Sequence, residues 1–139
     1  MSARDFFHNE VKNALIKDGW SITHDPLSVS FGRVDMSIDL GAEQLIGAEK
    51  DHQKIAVEIK SFLPKSSAIS EFHTALGQFI NYRAALKQKE PDRTLYLAVP
   101  IIAYNNFFKL EFPQLMVNEN QVKLIIYNPD KEIITEWKS

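Results

Sequence analysis

The sequence predicts an α/β domain, a mixed β-sheet flanked by helices, and three observations carry that expectation. A helical stripe of apolar residues opens the chain, after which the apolar period shortens to that of strands. A long helical pattern over about 68–89 then separates two groups of strands. Finally, Thr94 to Pro100 is a short, nearly continuous apolar run, the mark of a strand buried on both faces. The resulting order, α-β-β-β-α-β-α-β-β, places helices between strands. The first six elements form an α-β-β-β-α-β core, and the last two form a C-terminal β-hairpin. No repeat, low-complexity segment or long linker divides the 139 residues, so residues 1–139 read as one domain with one core.

Each element has a local reason. The first helix is expected over about 3–18, with Ser2 as N-cap, Asp5 in the first turn and Gly19 as the stop. Phe7, Val11, Ala14 and Leu15 form its apolar stripe, and Glu10 lies at the stripe's edge, where it can reach toward the sheet. Trp20 to His24 reads as a short strand before the turn at Asp25-Pro26. Val29 to Leu40 reads as strand interrupted at Gly32, with Val34, Met36, Ile38 and Leu40 on one face and Asp35, Ser37 and Asp39 on the other. Leu45 to Glu49 is expected as a further strand, hairpinned through Asp51-His52-Gln53 to the strand that holds Glu58. Ser66 and Ser67 are placed to cap the long helix, whose buried stripe is Phe72, Leu76 and Phe79. A helix over about 101–110 and strands over 122–127 and 133–137 complete the chain.

Composition narrows the function. The chain has 45% apolar, 11% aromatic and 24% charged residues, ordinary values for a soluble globular protein. It lacks cysteine, which excludes disulfides and thiolate metal sites. No apolar run approaches a membrane span, and the N-terminus lacks a signal-peptide core, so a cytoplasmic protein is expected. The net charge of −2 argues against a general nucleic-acid coat protein, while leaving room for an enzyme that meets DNA at a local basic rim. Lys60, Lys65, Arg83, Lys87 and Lys89 are candidates for such a rim, although a solvated helix face accounts for most of them.

The most informative segment is Lys54 to Ser61. In a strand, Ile55, Val57 and Ile59 point one way, while Ala56, Glu58 and Lys60 point the other. A carboxylate and an ammonium side by side at the end of an apolar strand need a reason, because charges are rarely buried unless paired or functional. Glu-x-Lys by itself is common and occurs three times here, at Glu10, Glu58 and Glu136; only the middle copy ends a well-formed strand. The ordinary reading is an ion pair at a sheet end. The functional reading is metal-assisted phosphodiester chemistry, with Glu58 holding a divalent cation and Lys60 orienting water.

A second acid on a neighbouring strand strengthens the functional reading, because strands about 4.8 Å apart let two carboxylates share one cation. Asp35 and Asp39 both qualify, but they lie about 13 Å apart along an ideal strand and cannot serve the same ion. The lead-in Gly32-Arg33-Val34 selects Asp35, with Asp39 as the alternative in a supporting position. Such an oxygen-rich site suits Mg²⁺ or Mn²⁺ better than zinc. On the long helix Gln78 and Tyr82 stand four apart on one face, where an amide and a phenol can serve a phosphate or a water. His8, His24, His52 and His73 are scattered and are expected to be surface or packing residues.

Gly32-Arg33-Val34-Asp35, Glu58-Ile59-Lys60 and Gln78-x-x-x-Tyr82 together resemble the PD-(D/E)XK nuclease superfamily, and Glu10 matches a position often acidic there. Almost the whole chain is similar to the XisH family, the fdxN element excision controlling factors of cyanobacteria. The segments that carry this are Asp5 to Trp20 (DFFHNEVKNALIKDGW), Ile55 to Phe62 (IAVEIKSF) and Ala68 to Phe79 (AISEFHTALGQF). The resemblance implies a restriction-endonuclease-like core and a role in programmed DNA excision, beside an XisI-type partner and a site-specific recombinase. It implies Asp35 and Glu58 as Mg²⁺ ligands, Lys60 and Gln78 as further catalytic residues, and Glu10 and Tyr82 in support. A lone acidic domain of this size is expected to act as a homodimer or in a complex. The rival expectation is a catalytically inactive factor that binds DNA or the recombinase, since a fold does not imply an activity.

Overall fold

The computed structural model describes residues 5–46 and 51–139. Its centre is a six-stranded mixed sheet with strand order β1-β4-β5-β6-β7-β8. The strands are β1 (Ser21–His24), β4 (Leu40–Ile46), β5 (Asp51–Ile59), β6 (Arg93–Pro100), β7 (Leu124–Asn128) and β8 (Ile133–Lys138). β5, β6 and β7 run parallel, and the outer pairings are antiparallel. Parallel neighbours need a crossover, which α2 (Ala68–Lys89) supplies between β5 and β6. Ser67 caps α2 by accepting from the Ser70 N–H at 3.3 Å, as its place before the apolar stripe predicts.

The sheet separates two cores. On one face α1 (His8–Lys17) buries Val11 and Leu15 against Leu40, Ile55, Val57, Ile59, Tyr96 and Tyr127. On the other, α2 brings Phe72 and Phe79 onto Ala56, Leu95, Leu97 and Val99. Strand alternation therefore sends successive residues of β5 into different cores, Ile55, Val57 and Ile59 to the α1 side and Ala56 and Glu58 to the α2 side.

Several boundaries differ from expectation. α1 starts at His8, so Asp5 lies ahead of the helix instead of in its first turn; the expected cap Ser2 lies outside the described residues. The stretch read as one interrupted strand is a separate hairpin, β2 (Leu27–Phe31) and β3 (Val34–Ile38), packed against α2. Gly32 (φ +58°) and Arg33 (φ +67°) form its two-residue turn, because paired left-handed residues match the twist of the strands. Asp39 is then a bend between β3 and β4, which ends the expected alternation through Leu40. Asp51, His52 and Gln53 belong to β5 and not to a turn, and 47–49 of the expected preceding strand lie outside the described residues.

The C-terminal helical region is also richer than expected. α3 (Ile101–Ala103) widens into a π-helical turn over Tyr104–Phe108, and α4 (Glu111–Glu119) follows where no helix was expected. Pro113 obscures α4 in the sequence, yet it falls in the first turn, where no intrahelical N–H is needed. The π turn seats Phe107 and Phe108 against Phe62 and Phe72. Among the described residues no helix is long and apolar enough to cross a membrane.

Candidate functional site

The chain leaves the sheet through Lys60 and Ser61, at the end of β5. Glu58 points to the α2 face and is only 4% exposed. The antiparallel register of β4 and β5 pairs Leu40 with Val57, so the residue before Leu40 meets the residue after Val57. That residue is Asp39. Two reciprocal hydrogen bonds lock it in place: the Ile59 N–H donates to Asp39 Oδ2 at 2.7 Å, and the Asp39 N–H donates to Glu58 Oε1 at 3.3 Å. Lys60 Nζ stands 3.8 Å from Glu58 Oε2.

The electrostatics follow from this geometry. Burial, and then the adjacent Asp39 charge, push the Glu58 carboxyl up to about 9 against the pull of Lys60. Asp39 is also raised, by burial first, with the Ile59 N–H and Glu58 holding it back. Two carboxylates so placed retain a proton between them at neutral pH unless a cation takes its place. Burial, with the charges of Glu58 and Asp39 adding, pushes the Tyr82 hydroxyl on α2 up to about 12, and Gln78 opposes them. Gln78 Oε1 and Glu71 Oε2, both on α2, are buried atoms without a hydrogen-bond partner among the described residues.

On the α1 side a second polar cluster closes the site. Asp5 accepts from the Phe7 N–H and the Ser61 N–H, each at 3.1 Å, and bonds the Ser61 hydroxyl, so it staples the start of α1 to the end of β5. Buried His8 binds Asp25 through Nε2 at 2.7 Å, and Lys12, one turn on, donates to the same carboxylate at 2.9 Å. Burial opposes ionisation of Asp25, but the hydrogen bonds from Lys12 and His8 overcome it and hold the carboxyl at about 2. Tyr127 donates to the Lys60 carbonyl at 3.4 Å. Burial, then the charges of Asp5 and half-buried Glu10 on α1, push this phenol up. Phe62 follows with φ +48°, an uncommon conformation for a bulky residue, held by Phe107 and Phe108.

Of the residues singled out in the sequence, Asp39, Glu58 and Lys60 come together, with Gln78 and Tyr82 on the facing helix. Asp35 does not join them. It is exposed on the β2–β3 hairpin, where it pairs across to Ser30 and accepts from that hydroxyl at 2.7 Å. The sequence reasoning missed Asp5, Ser61 and Asp25, and it took His8 for a surface or packing residue. The spacing of His8 and Lys12 is a local signal for one helix face, but nothing local indicates that Asp25 meets them. Among the described residues no group of three or more histidine, aspartate or glutamate side chains converges to hold a metal ion; the convergence is of two carboxylates.

Comparison with known proteins adds an independent line. The family model described as XisH protein matches residues 1–135. A crystal structure of an XisH family protein from Nostoc punctiforme PCC 73102 is 56% identical, with a TM-score of 0.88, and covers 97% of this chain and 100% of its own. A crystal structure of an fdxN element excision controlling factor protein from Anabaena variabilis is likewise 56% identical with a TM-score of 0.88, covering 98% of this chain and 100% of its own. No curated protein matches.

Proposed function

We propose, from the premise that this chain belongs to the XisH family, that it is a DNA excision controlling factor carrying a divalent-cation-dependent phosphodiester-cleaving site of PD-(D/E)XK type. One observation carries this reading: buried Glu58 and half-buried Asp39 are locked side by side, with the Lys60 ammonium 3.8 Å from Glu58. Acids forced together in this way bind positive charge strongly. The donor set fits a hard cation, since it offers two carboxylates, the amide oxygen of Gln78, which has no partner among the described residues, and no sulfur or imidazole. Asp39 and Glu58 would hold Mg²⁺ or Mn²⁺, which when bound supplies charge neutralisation on a phosphodiester and a lower pKa for water.

The chain's own groups do the rest. Lys60, tethered beside Glu58, orients the attacking water and offsets charge developing on the phosphate. Tyr82, protonated far above neutral pH, offers a hydrogen-bond donor to phosphate, and Gln78 positions a water. The partners under this reading are DNA, an XisI-type protein and a site-specific recombinase, with a second copy of the chain as a further candidate.

A second reading, a catalytically inactive DNA- or recombinase-binding control factor, is favoured by the lack of a third acidic or histidine ligand among the described residues. A protonated Asp39–Glu58 pair is self-satisfied and can be purely structural. The deciding experiment is incubation of supercoiled, single-stranded and branched DNA with the protein in Mg²⁺ and Mn²⁺, with Lys60→Ala and Glu58→Ala alongside. Cleavage by the native protein and loss of at least about a hundredfold in both variants is the expected result. Intact DNA throughout would transfer the assignment to the control-factor reading.

A further inference from the structure

A cavity of about 940 Å³ opens at the opposite end of the parallel strands from Glu58. Its floor is the start of β6 and β7, and its walls come from the C-terminal half of α2, α4 and the end of β8. In the β5–β6 register Lys54 meets Arg93 and Glu58 meets Leu97, which sets the floor about 13 Å from the acid pair along the strands.

Five cationic side chains line this recess, Arg83, Lys87, Arg93, Lys123 and Lys138, against the single carboxylate side chain of Glu136. Two of the five are neutralised: Arg93 by Glu90 at 3.1 Å, and Lys138 by Glu136 at 3.5 Å. The other three are not. Arg83 donates to the Asn120 and Gln121 carbonyls at 2.6 and 3.3 Å and lies 5.1 Å over the Phe79 ring, all uncharged partners. The side chains of exposed Lys87 and half-buried Lys123 make no hydrogen bond or ion pair among the described residues. In a chain of net charge −2, three cations without a carboxylate partner, two on the α2 wall and Lys123 at the floor, repel one another across the recess more strongly than they would on an open surface.

We propose that this recess binds a phosphate-bearing small molecule of nucleotide size, at a site separate from the acid pair. A compact polyanion is the ligand that relieves the repulsion, and guanidinium and ammonium groups together suit phosphoryl oxygens. Leu86 on the α2 wall and Leu95 on the floor supply apolar lining, and Asn118 and Gln121 add amide-bearing side chains for the organic part of the ligand. The volume lies within the range of small-molecule sites. A nucleic-acid duplex fits less well, because it carries its phosphates on a convex surface that a recess of this size does not admit. α2 connects the two sites directly: Tyr82 faces the acid pair, and its neighbour Arg83 lines the recess.

The test is titration calorimetry of the full chain with ATP and with pyrophosphate, without divalent metal, at low and moderate salt. The native protein is expected to bind ATP saturably and more weakly at higher salt. Lys123→Gln is expected to weaken binding about tenfold, and the Lys87→Gln/Lys123→Gln pair to abolish it, while Glu58→Gln leaves it unchanged. Thermal melts establish that the variants are folded. No saturable binding of either probe at millimolar concentration would overturn the proposal. So would equal binding by the double variant, or lysine-dependent binding of a short DNA duplex with no binding of ATP.

Discussion

Asp25 and Glu58 are both acids held in polar clusters at the same end of the molecule, and they are driven in opposite directions. Asp25 sits on the α1 side between His8 and Lys12 and is held at about 2. Glu58 sits on the α2 side against Asp39 and is pushed up to about 9. Burial raises both; what differs is the partner. A carboxylate between donors is finished, whereas a carboxylate facing another acid is still short of positive charge. The first arrangement reads as structural, and the second is the one that, under the proposed function, would hold a cation.

The comparison can be broken most severely at the finished cluster. Asp25→Ala leaves buried His8 without its carboxylate, and a loss of about 2 kcal/mol in urea unfolding at neutral pH is expected. The strained pair should behave in the opposite way. The folded Glu58 binds a proton more tightly than the unfolded one, so native stability falls as pH rises from about 4.5 toward 9. Glu58→Gln keeps an acceptor for the Asp39 N–H and removes that cost. It should therefore gain on the order of 2 kcal/mol at pH about 8, with the gain fading near pH 4.

Smaller effects sharpen the contrast further. The depressed Asp25 contributes stability that is present above about pH 3.8 and is lost as pH falls toward 2. Acid titration of Asp25→Asn should accordingly be flatter than that of the native protein, by about 1 kcal/mol in that window. Millimolar Mg²⁺ should raise the melting temperature of the native protein by a few degrees and leave Asp39→Asn unmoved. The smallest effect is expected for Asp35→Asn, within about 0.5 kcal/mol of native and with the Mg²⁺ response intact. A response lost in Asp35→Asn and kept in Asp39→Asn would reverse the assignment of the two acids.

Local periodicity was enough to place α2 over its full length, to put Ala56 and Glu58 on the face away from Ile55, Val57 and Ile59, and to mark Lys60 beside Glu58. These features repeat every two or four residues, and a linear pattern carries such information completely. The choice between Asp35 and Asp39 is of another kind. Both acids lie on the same side of an ideal strand, and the decision rests on a left-handed turn at Gly32–Arg33, a bend at Asp39 and the pairing of Leu40 with Val57. Strand register is set by which hydrophobic face is buried, and that depends on residues far along the chain. The same holds for Asp5 reaching Ser61, for Asp25 reaching His8 and for the cations that meet in the recess. The sequence alone determined α1, α2 and the central strands and the chemistry available on each, whereas the β2–β3 hairpin and α4 took shape only in the tertiary structure. Only the tertiary structure decided which charges face each other, because electrostatic partners are chosen by distance in space and not along the chain.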